Sequence, residues 1–168
     1  MKKDLLKIAP ILLALMAVAV VAMLVPRAPA APEFALPVIA GPGIGDRVRL
    51  QDLRGQVVVL DFWATWCGPC RTSAPILQRL SEEYEGQVAF VGINAETTPP
   101  PNIAEIFDNF GAHYVSVGDR SGAILERYEV DGLPTLIVLD AEGRIRQRGT
   151  GSVDESMLRA AIESTLQN

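Results

Sequence analysis

Both cysteines of this 168-residue chain lie in one short stretch, Trp66–Cys70, which reads Trp-Cys-Gly-Pro-Cys. Two thiols separated by two residues cannot link distant parts of a fold, but they can form and break one local disulfide. The stretch follows a run, 57–62, that is apolar except for Asp61, and precedes a segment in which Leu77, Leu80 and Tyr84 recur at helical spacing. The pattern therefore predicts a buried strand that leads into a helix, with the first cysteine at the junction.

The predicted place of Cys67 at the start of a helix determines its expected reactivity. The first turn of a helix has unpaired N–H groups and the positive end of the helix dipole, so a thiolate is favoured there. The thiolate is the nucleophile of disulfide exchange, whereas a free cysteine is mostly protonated at neutral pH. Pro69 suits an early helical position, where no N–H is needed. We expect Cys67 to be exposed at the helix tip and Cys70 to lie one turn deeper.

Two motifs in the chain resemble those of the thioredoxin superfamily. The first is the run Asp61–Cys70, Asp-Phe-Trp-Ala-Thr-Trp-Cys-Gly-Pro-Cys, and the second is Gly-Leu-Pro-Thr at 132–135. A Cys-x-x-Cys beside a βαβ pattern is typical of this redox family. The resemblance implies a thioredoxin-like α/β fold in which Cys67 and Cys70 form a redox-active disulfide. It also implies that Pro134 follows a cis peptide bond and faces the cysteines.

Strands and helices alternate along the rest of the chain, which predicts a mixed central sheet flanked by helices. The segment 103–110 has apolar residues at helical spacing. It lies within 95–119, which is extra sequence by comparison with thioredoxin, so we expect an extra helix after the central strand at 88–93. With the lead-in at 34–37, this insertion resembles the membrane-anchored, extracytoplasmic branch that includes the TlpA and ResA proteins. A last helix, capped by Asp154, is predicted to turn its apolar residues inward, among them Leu158, Ile162 and Leu166.

Two acidic residues are candidate proton acceptors for Cys70, which must lose its proton before it attacks a mixed disulfide. Asp61 has apolar neighbours on both sides, so its pKa should be raised, and by position it matches the buried acid of thioredoxin. Glu96 matches the position at which ResA-like proteins carry an acid. Those relatives often have Asn where this chain has Asp61, so the sequence leaves open which acid serves Cys70.

Five residues are predicted to form the surface that meets the substrate. Proline after a cis bond would present the backbone of Leu133, and an extended substrate could pair with that backbone as an added strand. Trp66 is predicted to line the surface around Cys67. The complete predicted substrate-binding set is Trp66, Gly68, Pro69, Leu133 and Pro134.

The first 27 residues form a predicted signal-anchor. Lys2, Lys3 and Lys7 precede an uncharged run, 8–25, whose helical length of about 27 Å is close to the hydrocarbon thickness of a bilayer, about 30 Å. The lysine cluster should stay in the cytoplasm, which places everything after Arg27 outside it. The length of the run favours an uncleaved anchor, whereas Ala-Pro-Ala at 28–30 is similar to a cleavage site, so both alternatives remain.

The domain organisation follows from this segment. We expect a Pro/Ala-rich tether at 28–37 and one thioredoxin-like domain at 38–168, on the periplasmic side of the inner membrane and monomeric. The net charge of −5 argues against a nucleic-acid partner. A thiol site outside the cytoplasm needs a membrane electron donor, and the resemblance implies one of the DsbD or CcdA type.

The predicted function is reduction of disulfides in exported proteins, since Gly-Pro between the cysteines resembles reducing thioredoxins. The resemblance implies haem-site cysteines of apocytochrome c or copper-site cysteines of respiratory proteins as substrates.

An alternative is a copper metallochaperone in which the pair binds Cu(I). A structural zinc is disfavoured because it needs about four ligands, and the chain offers two Cys and one His. An inert structural disulfide is disfavoured because so short a loop contributes little stability. No cofactor beyond the disulfide, and no metal, is predicted.

Overall fold

The structure of the chain is a computed structural model that describes Met16 and residues 28–43 and 45–167. The predicted signal-anchor, 1–27, lies outside the described residues apart from Met16. Within the part of the chain that is described, no helix combines the length and the apolar character needed to cross a bilayer.

The described residues form one seven-stranded sheet with four α-helices and a 3₁₀ helix at Leu50–Leu53. The strands are β1 (Ala35–Ala40), β2 (Arg47–Arg49), β3 (Val57–Trp63), β4 (Val88–Asn94), β5 (Val115–Gly118), β6 (Thr135–Leu139) and β7 (Ile145–Thr150). The helices are α1 (Gly68–Glu83), α2 (Ile103–Asn109), α3 (Ala123–Arg127) and α4 (Glu155–Leu166).

The sheet has the strand order β2-β1-β5-β4-β3-β6-β7. Its centre is parallel, because β3 pairs with β4 and β4 with β5 in that sense, whereas β1, β2, β6 and β7 join by antiparallel pairing. Helix α2 follows β4, which is the middle strand of the order. The predicted thioredoxin-like fold, a mixed sheet flanked by helices with an extra helix after the central strand, is therefore confirmed.

Strand β3 is buried along its whole length and contributes side chains to both faces of the sheet. Side chains alternate along a strand, so successive residues face opposite sides. Val57, Val59 and Trp63 join the apolar cluster that α1, α2 and α4 cover, which we call the α1 face. Leu60 and Phe62 join the cluster that contains residues of α3, which we call the α3 face. Apart from Asp61, β3 is apolar on both sides, as expected for a strand in the interior of a sheet covered on both faces.

The predicted boundary between tether and domain at residue 38 is wrong. The stretch from Ala30 onward packs on the domain, because Ala30 forms a bridge with Arg144 and Phe34 is buried on the α3 face. Strand β1 already begins at Ala35. Prolines in this stretch suggested an extended tether, but proline is compatible with an edge or irregular strand that pairs through its carbonyl groups.

The last helix begins as predicted but buries less of its apolar side. Asp154 accepts hydrogen bonds from the N–H groups of Ser156 and Met157, and Leu158 is buried. Leu166, predicted to face inward, is 38% exposed, because it is the last residue of the helix.

Candidate active site

Cys67 and Cys70 form a disulfide where β3 leads into α1. Cys67 is the N-cap residue of α1, and its sulfur accepts a hydrogen bond from the N–H of Cys70 at 3.2 Å. Pro69 lies in the first helical turn, where its missing N–H is not needed. This arrangement places one sulfur at the positive end of the helix dipole, where a thiolate is stabilised once the disulfide is reduced.

The predicted exposure of Cys67 at the helix tip is wrong, because only 4% of the residue is accessible. The turn that precedes it closes through the N–H of Cys67 and the carbonyl of Ala64 at 3.1 Å, which draws the cysteine towards the domain. Its side chain belongs to the apolar cluster of the α1 face, as does that of Cys70. The helical spacing predicted the position of the sulfur along the chain but not how closely neighbouring segments cover it.

The three other residues of the Trp-Cys-Gly-Pro-Cys stretch form the exposed surface beside the disulfide. Trp66 is 72% exposed, and Gly68 and Pro69 are also exposed. An indole ring in water is a large apolar surface available to a partner. Their assignment to substrate binding remains a prediction.

Leu133 and Pro134 form the segment that leads into β6, and the peptide bond between them is cis, as the resemblance implies. The carbonyl of Pro134 accepts a hydrogen bond from Gly151 at 2.8 Å. Leu133 is half-buried and packs against both apolar clusters. Among the described residues, the backbone N–H and C=O of Leu133 have no hydrogen-bond partner. These two groups are thus available for pairing with another strand.

Asp61 is a carboxyl group buried on the α1 face, between Val59 and Trp63 in the strand alternation. It is 5% exposed, and the hydroxyl of Tyr114 donates a hydrogen bond to its Oδ2 at 2.8 Å. Burial raises the pKa of Asp61 to about 7, and the hydrogen bond from Tyr114 partly opposes that rise. The upward direction of this pKa shift agrees with the expectation from the sequence.

Glu96 has a different environment, since its carboxylate holds the turn before Cys67. Its Oε2 accepts from the N–H of Thr65 at 2.8 Å, and its Oε1 accepts from the hydroxyl of Thr65 at 2.9 Å. The amide of Asn94 donates to Oε2 at 2.9 Å. A half-buried carboxylate with both oxygens occupied in this way is built to fix a backbone geometry.

The structure adds two residues that the sequence did not single out. Thr65 anchors the turn to Glu96, and Tyr114 supplies the hydrogen bond to Asp61. Thr65 could have been noticed because it directly precedes Trp66. No local sequence pattern indicates a role for Tyr114, because its partner lies 53 positions away and the two residues meet only through the sheet.

Comparisons with known proteins agree with this geometry. A family model described as Redoxin matches residues 27–164. The thiol-disulfide oxidoreductase ResA of Geobacillus thermodenitrificans is 33% identical over 135 residues, covering 80% of this chain and 75% of that protein. A crystal structure of a Chlorobium tepidum protein assigned as a thiol:disulfide interchange protein, DsbE, is 30% identical with a TM-score of 0.74, covering 84% of this chain and 98% of that one. A thiol-disulfide isomerase from Corynebacterium glutamicum is 28% identical with a TM-score of 0.69, over 82% and 97% of the two chains.

Proposed function

Since the chain belongs to the Redoxin family and is a protein-disulfide oxidoreductase, we propose that it works as a reductase of disulfides in exported proteins. Cys67 is the attacking thiol and Cys70 the resolving thiol. The observation that carries the proposal is the disulfide between the N-cap and first turn of α1, the helix that covers the face holding Asp61. The Gly-Pro pair between the cysteines supports the reducing direction.

The reaction begins from the dithiol form. The thiolate of Cys67 attacks one sulfur of the substrate disulfide, so that bond breaks, a mixed disulfide forms, and the departing substrate sulfur takes up a proton. Cys70 then gives its proton to a base and attacks the sulfur of Cys67. The Cys67–Cys70 disulfide forms and the second substrate sulfur leaves as a thiol. A membrane dithiol donor of the DsbD or CcdA type returns two electrons and two protons to the pair.

We assign the proton acceptor of the second step to Asp61. Its pKa of about 7 matches the working pH of a general base, and Cys70 lies in the first turn of the helix that covers its face of the sheet. Glu96 instead uses both oxygens to hold Thr65 and Asn94, so we assign it to positioning the turn before Cys67. The two acids of the sequence thus have separate tasks.

Substrate docking uses the exposed surface around the disulfide. Trp66 offers an apolar contact, Gly68 and Pro69 are exposed beside the disulfide, and the unpaired backbone of Leu133 before Pro134 can bind an extended segment as an added strand. Backbone pairing tolerates varied side chains, which suits an enzyme that acts on cysteines in different proteins.

The proposed setting is the periplasmic side of the inner membrane, with residues 1–27 as anchor. The apolar run and lysine cluster of that segment support it. The substrates proposed are haem-site cysteines of apocytochrome c or copper-site cysteines of respiratory proteins, and the similarity to ResA proteins supports this class. The monomeric enzyme uses its own disulfide and no other cofactor or metal.

The reducing direction can be tested by equilibrating the full chain, in detergent, with glutathione redox buffers. We expect a midpoint close to that of thioredoxin, about −270 mV. A midpoint as oxidising as that of DsbA, about −120 mV, would refute reductase function.

The substrate class can be tested by trapping. A Cys70→Ser variant should retain partners on Cys67 as stable mixed disulfides, and the double variant with Cys67→Ser is the matched control that should retain none. We expect partners whose trapped cysteines belong to haem or copper sites. Tight stoichiometric binding of Cu(I) by the reduced protein, with no disulfide turnover, would instead support a metallochaperone.

A further inference from the structure

Tyr114 reaches a group two strands away from its own. It directly precedes β5, whereas Asp61 lies on β3, and β4 runs between them. Even so, the hydroxyl of Tyr114 donates to Oδ2 of Asp61 at 2.8 Å. A hydrogen bond from a hydroxyl to a largely buried carboxylate is stronger than the same bond in water, because the surroundings are less polar.

Tyr114 is held by two ring contacts and one backbone hydrogen bond. It packs edge-on against Phe107 of α2, with ring centres 5.2 Å apart, and at a tilt against Phe90 of β4 at 6.3 Å. Its backbone N–H donates to Oε1 of Gln78 on α1 at 3.1 Å. The residue is only 7% exposed. Its hydroxyl is therefore fixed relative to the helix that carries Cys70.

Few other ionisable groups face Asp61. The charged side chains of α1, α2 and α4 lie on the exposed or half-exposed sides of those helices. Tyr84 is buried on the same face, but its hydroxyl donates to Glu163 at 3.2 Å and accepts from Arg159. In the described part of the chain this leaves Tyr114 and, after reduction, the two cysteines as the ionisable groups that can act on Asp61. Within the described residues Tyr114 is the donor to this carboxylate through Oδ2, and Oδ1 accepts no bond from them and is not sealed from water.

We propose that Tyr114 is the positioning residue of the proton acceptor: its hydroxyl orients the Asp61 carboxylate and favours its ionised form, leaving Oδ1 to take the proton of Cys70. This inference rests on the proposed role of Asp61 in the resolving step. The proton moves from the Cys70 thiol to Oδ1, while the hydroxyl of Tyr114 keeps its own proton. The hydroxyl remains protonated because burial and the neighbouring carboxylate raise its pKa well above the usual value.

The test uses the full chain in detergent with Tyr114→Phe, which keeps the ring and removes only the hydroxyl. In the oxidised protein, carbon-13 NMR of the Asp61 carboxyl group should show its pKa raised by about one unit, since a hydrogen bond to a charged group is lost. In the reduced protein, reaction with an aromatic disulfide, dithiobis(nitrobenzoate), releases one chromophore when Cys67 attacks and a second when Cys70 resolves. The second phase should slow about 3- to 10-fold at pH 7 and recover at higher pH.

Tyr84→Phe is the matched control, because it removes the hydroxyl of another tyrosine of the same face, at a site bonded to Glu163. It should leave the Asp61 titration and the second phase unchanged. An unmoved Asp61 titration in Tyr114→Phe overturns the inference, even if stability falls.

Asp61→Asn separates the inference from the function on which it rests. If this variant slows the second phase and removes its pH dependence, and Tyr114→Phe has no further effect in that background, the inference is supported. If Asp61→Asn leaves the second phase unchanged, the proposed role of Asp61 fails, and the positioning role fails with it. If Asp61→Asn slows the second phase but Tyr114→Phe does not move the titration, only the positioning role fails.

Discussion

The two faces of strand β3 bury neighbouring residues in opposite ways. On the α3 face, Phe62 packs its ring against Tyr128 with centres 5.4 Å apart, in a cluster of aliphatic and aromatic side chains. On the α1 face, Asp61 bonds to Tyr114, and the indole N–H of Trp63 donates to the hydroxyl of Ser116 at 2.9 Å. Both faces are packed by apolar side chains, and the α1 face adds two hydrogen bonds that cross the width of β4.

Neighbouring residues of one strand thus serve different purposes, since Phe62 contributes to stability and Asp61 to the proposed chemistry. Burying an apolar ring is favourable, whereas burying a carboxyl group that must ionise costs free energy. The carboxyl group of Asp61 is buried despite this cost, on the face covered by the helix that begins beside Cys67. Buried ionisable groups with raised pKa values concentrate at functional sites for this reason. The comparison predicts that truncating Phe62 and neutralising Asp61 will change stability with opposite sign.

The largest expected effect belongs to the α3 face. Phe62→Ala should lower the free energy of unfolding by about 3 to 5 kcal/mol, because a completely buried ring is replaced by a cavity. Denaturant unfolding of the oxidised protein measures this. Phe62→Leu, which fills most of the volume, should cost less than half as much. The pKa of Asp61 should stay near 7 in both variants, and a shift of more than one unit would show that the two faces are not independent.

On the α1 face, Asp61→Asn should stabilise the oxidised protein at alkaline pH. The carboxyl pKa is about 7 in the folded chain and 3.8 as its ordinary value, so the folded state holds the proton more tightly. Stability of the native protein therefore falls as the pH rises from about 4 to about 7, and the cost is complete above that range. The amide removes this cost, which amounts to as much as about 4 kcal/mol at pH 8.

The same comparison at pH 4 is the control for Asp61→Asn. There the carboxyl group is protonated in the folded state, so the two proteins should differ by less than about 1 kcal/mol. A stability difference that does not vary with pH would mean that Asp61 is not the group whose ionisation opposes folding.

The sequence predicted the parts of this molecule that depend on local pattern. The Cys-x-x-Cys stretch, the apolar run before it and the Gly-Leu-Pro-Thr motif indicated the fold, the strand-to-helix junction and the cis bond before Pro134. The start of β1 was missed because Pro and Ala suggest a tether, while the pairing that makes a strand comes from distant residues. The Tyr114–Asp61 and Trp63–Ser116 bonds each join residues 53 positions apart. A strand that is apolar on both sides does not indicate which neighbour each side chain meets.

A smaller effect on stability is expected at Gly92. This residue lies on β4, where it pairs with Asp61 of β3 on one side and with Ser116 of β5 on the other. A Cβ atom at this position would lie 2.9 Å from the hydroxyl oxygen of Ser116 and 3.2 Å from the indole nitrogen of Trp63. Gly92→Ala should therefore displace the bond between them and destabilise the protein by about 1 to 3 kcal/mol, in a denaturant titration followed by Trp fluorescence.

Gly149 on β7 provides the matched control for this contact, because a Cβ atom there would meet nothing within 4 Å. Gly149→Ala changes the same residue type in another strand of the sheet, and its effect should stay within about 0.5 kcal/mol. If Gly92→Ala were tolerated as well as Gly149→Ala, then Trp63 and Ser116 must have room to move apart. The α1 face would then accommodate an added methyl group, and the hydrogen bond between Trp63 and Ser116 would not depend on glycine at position 92.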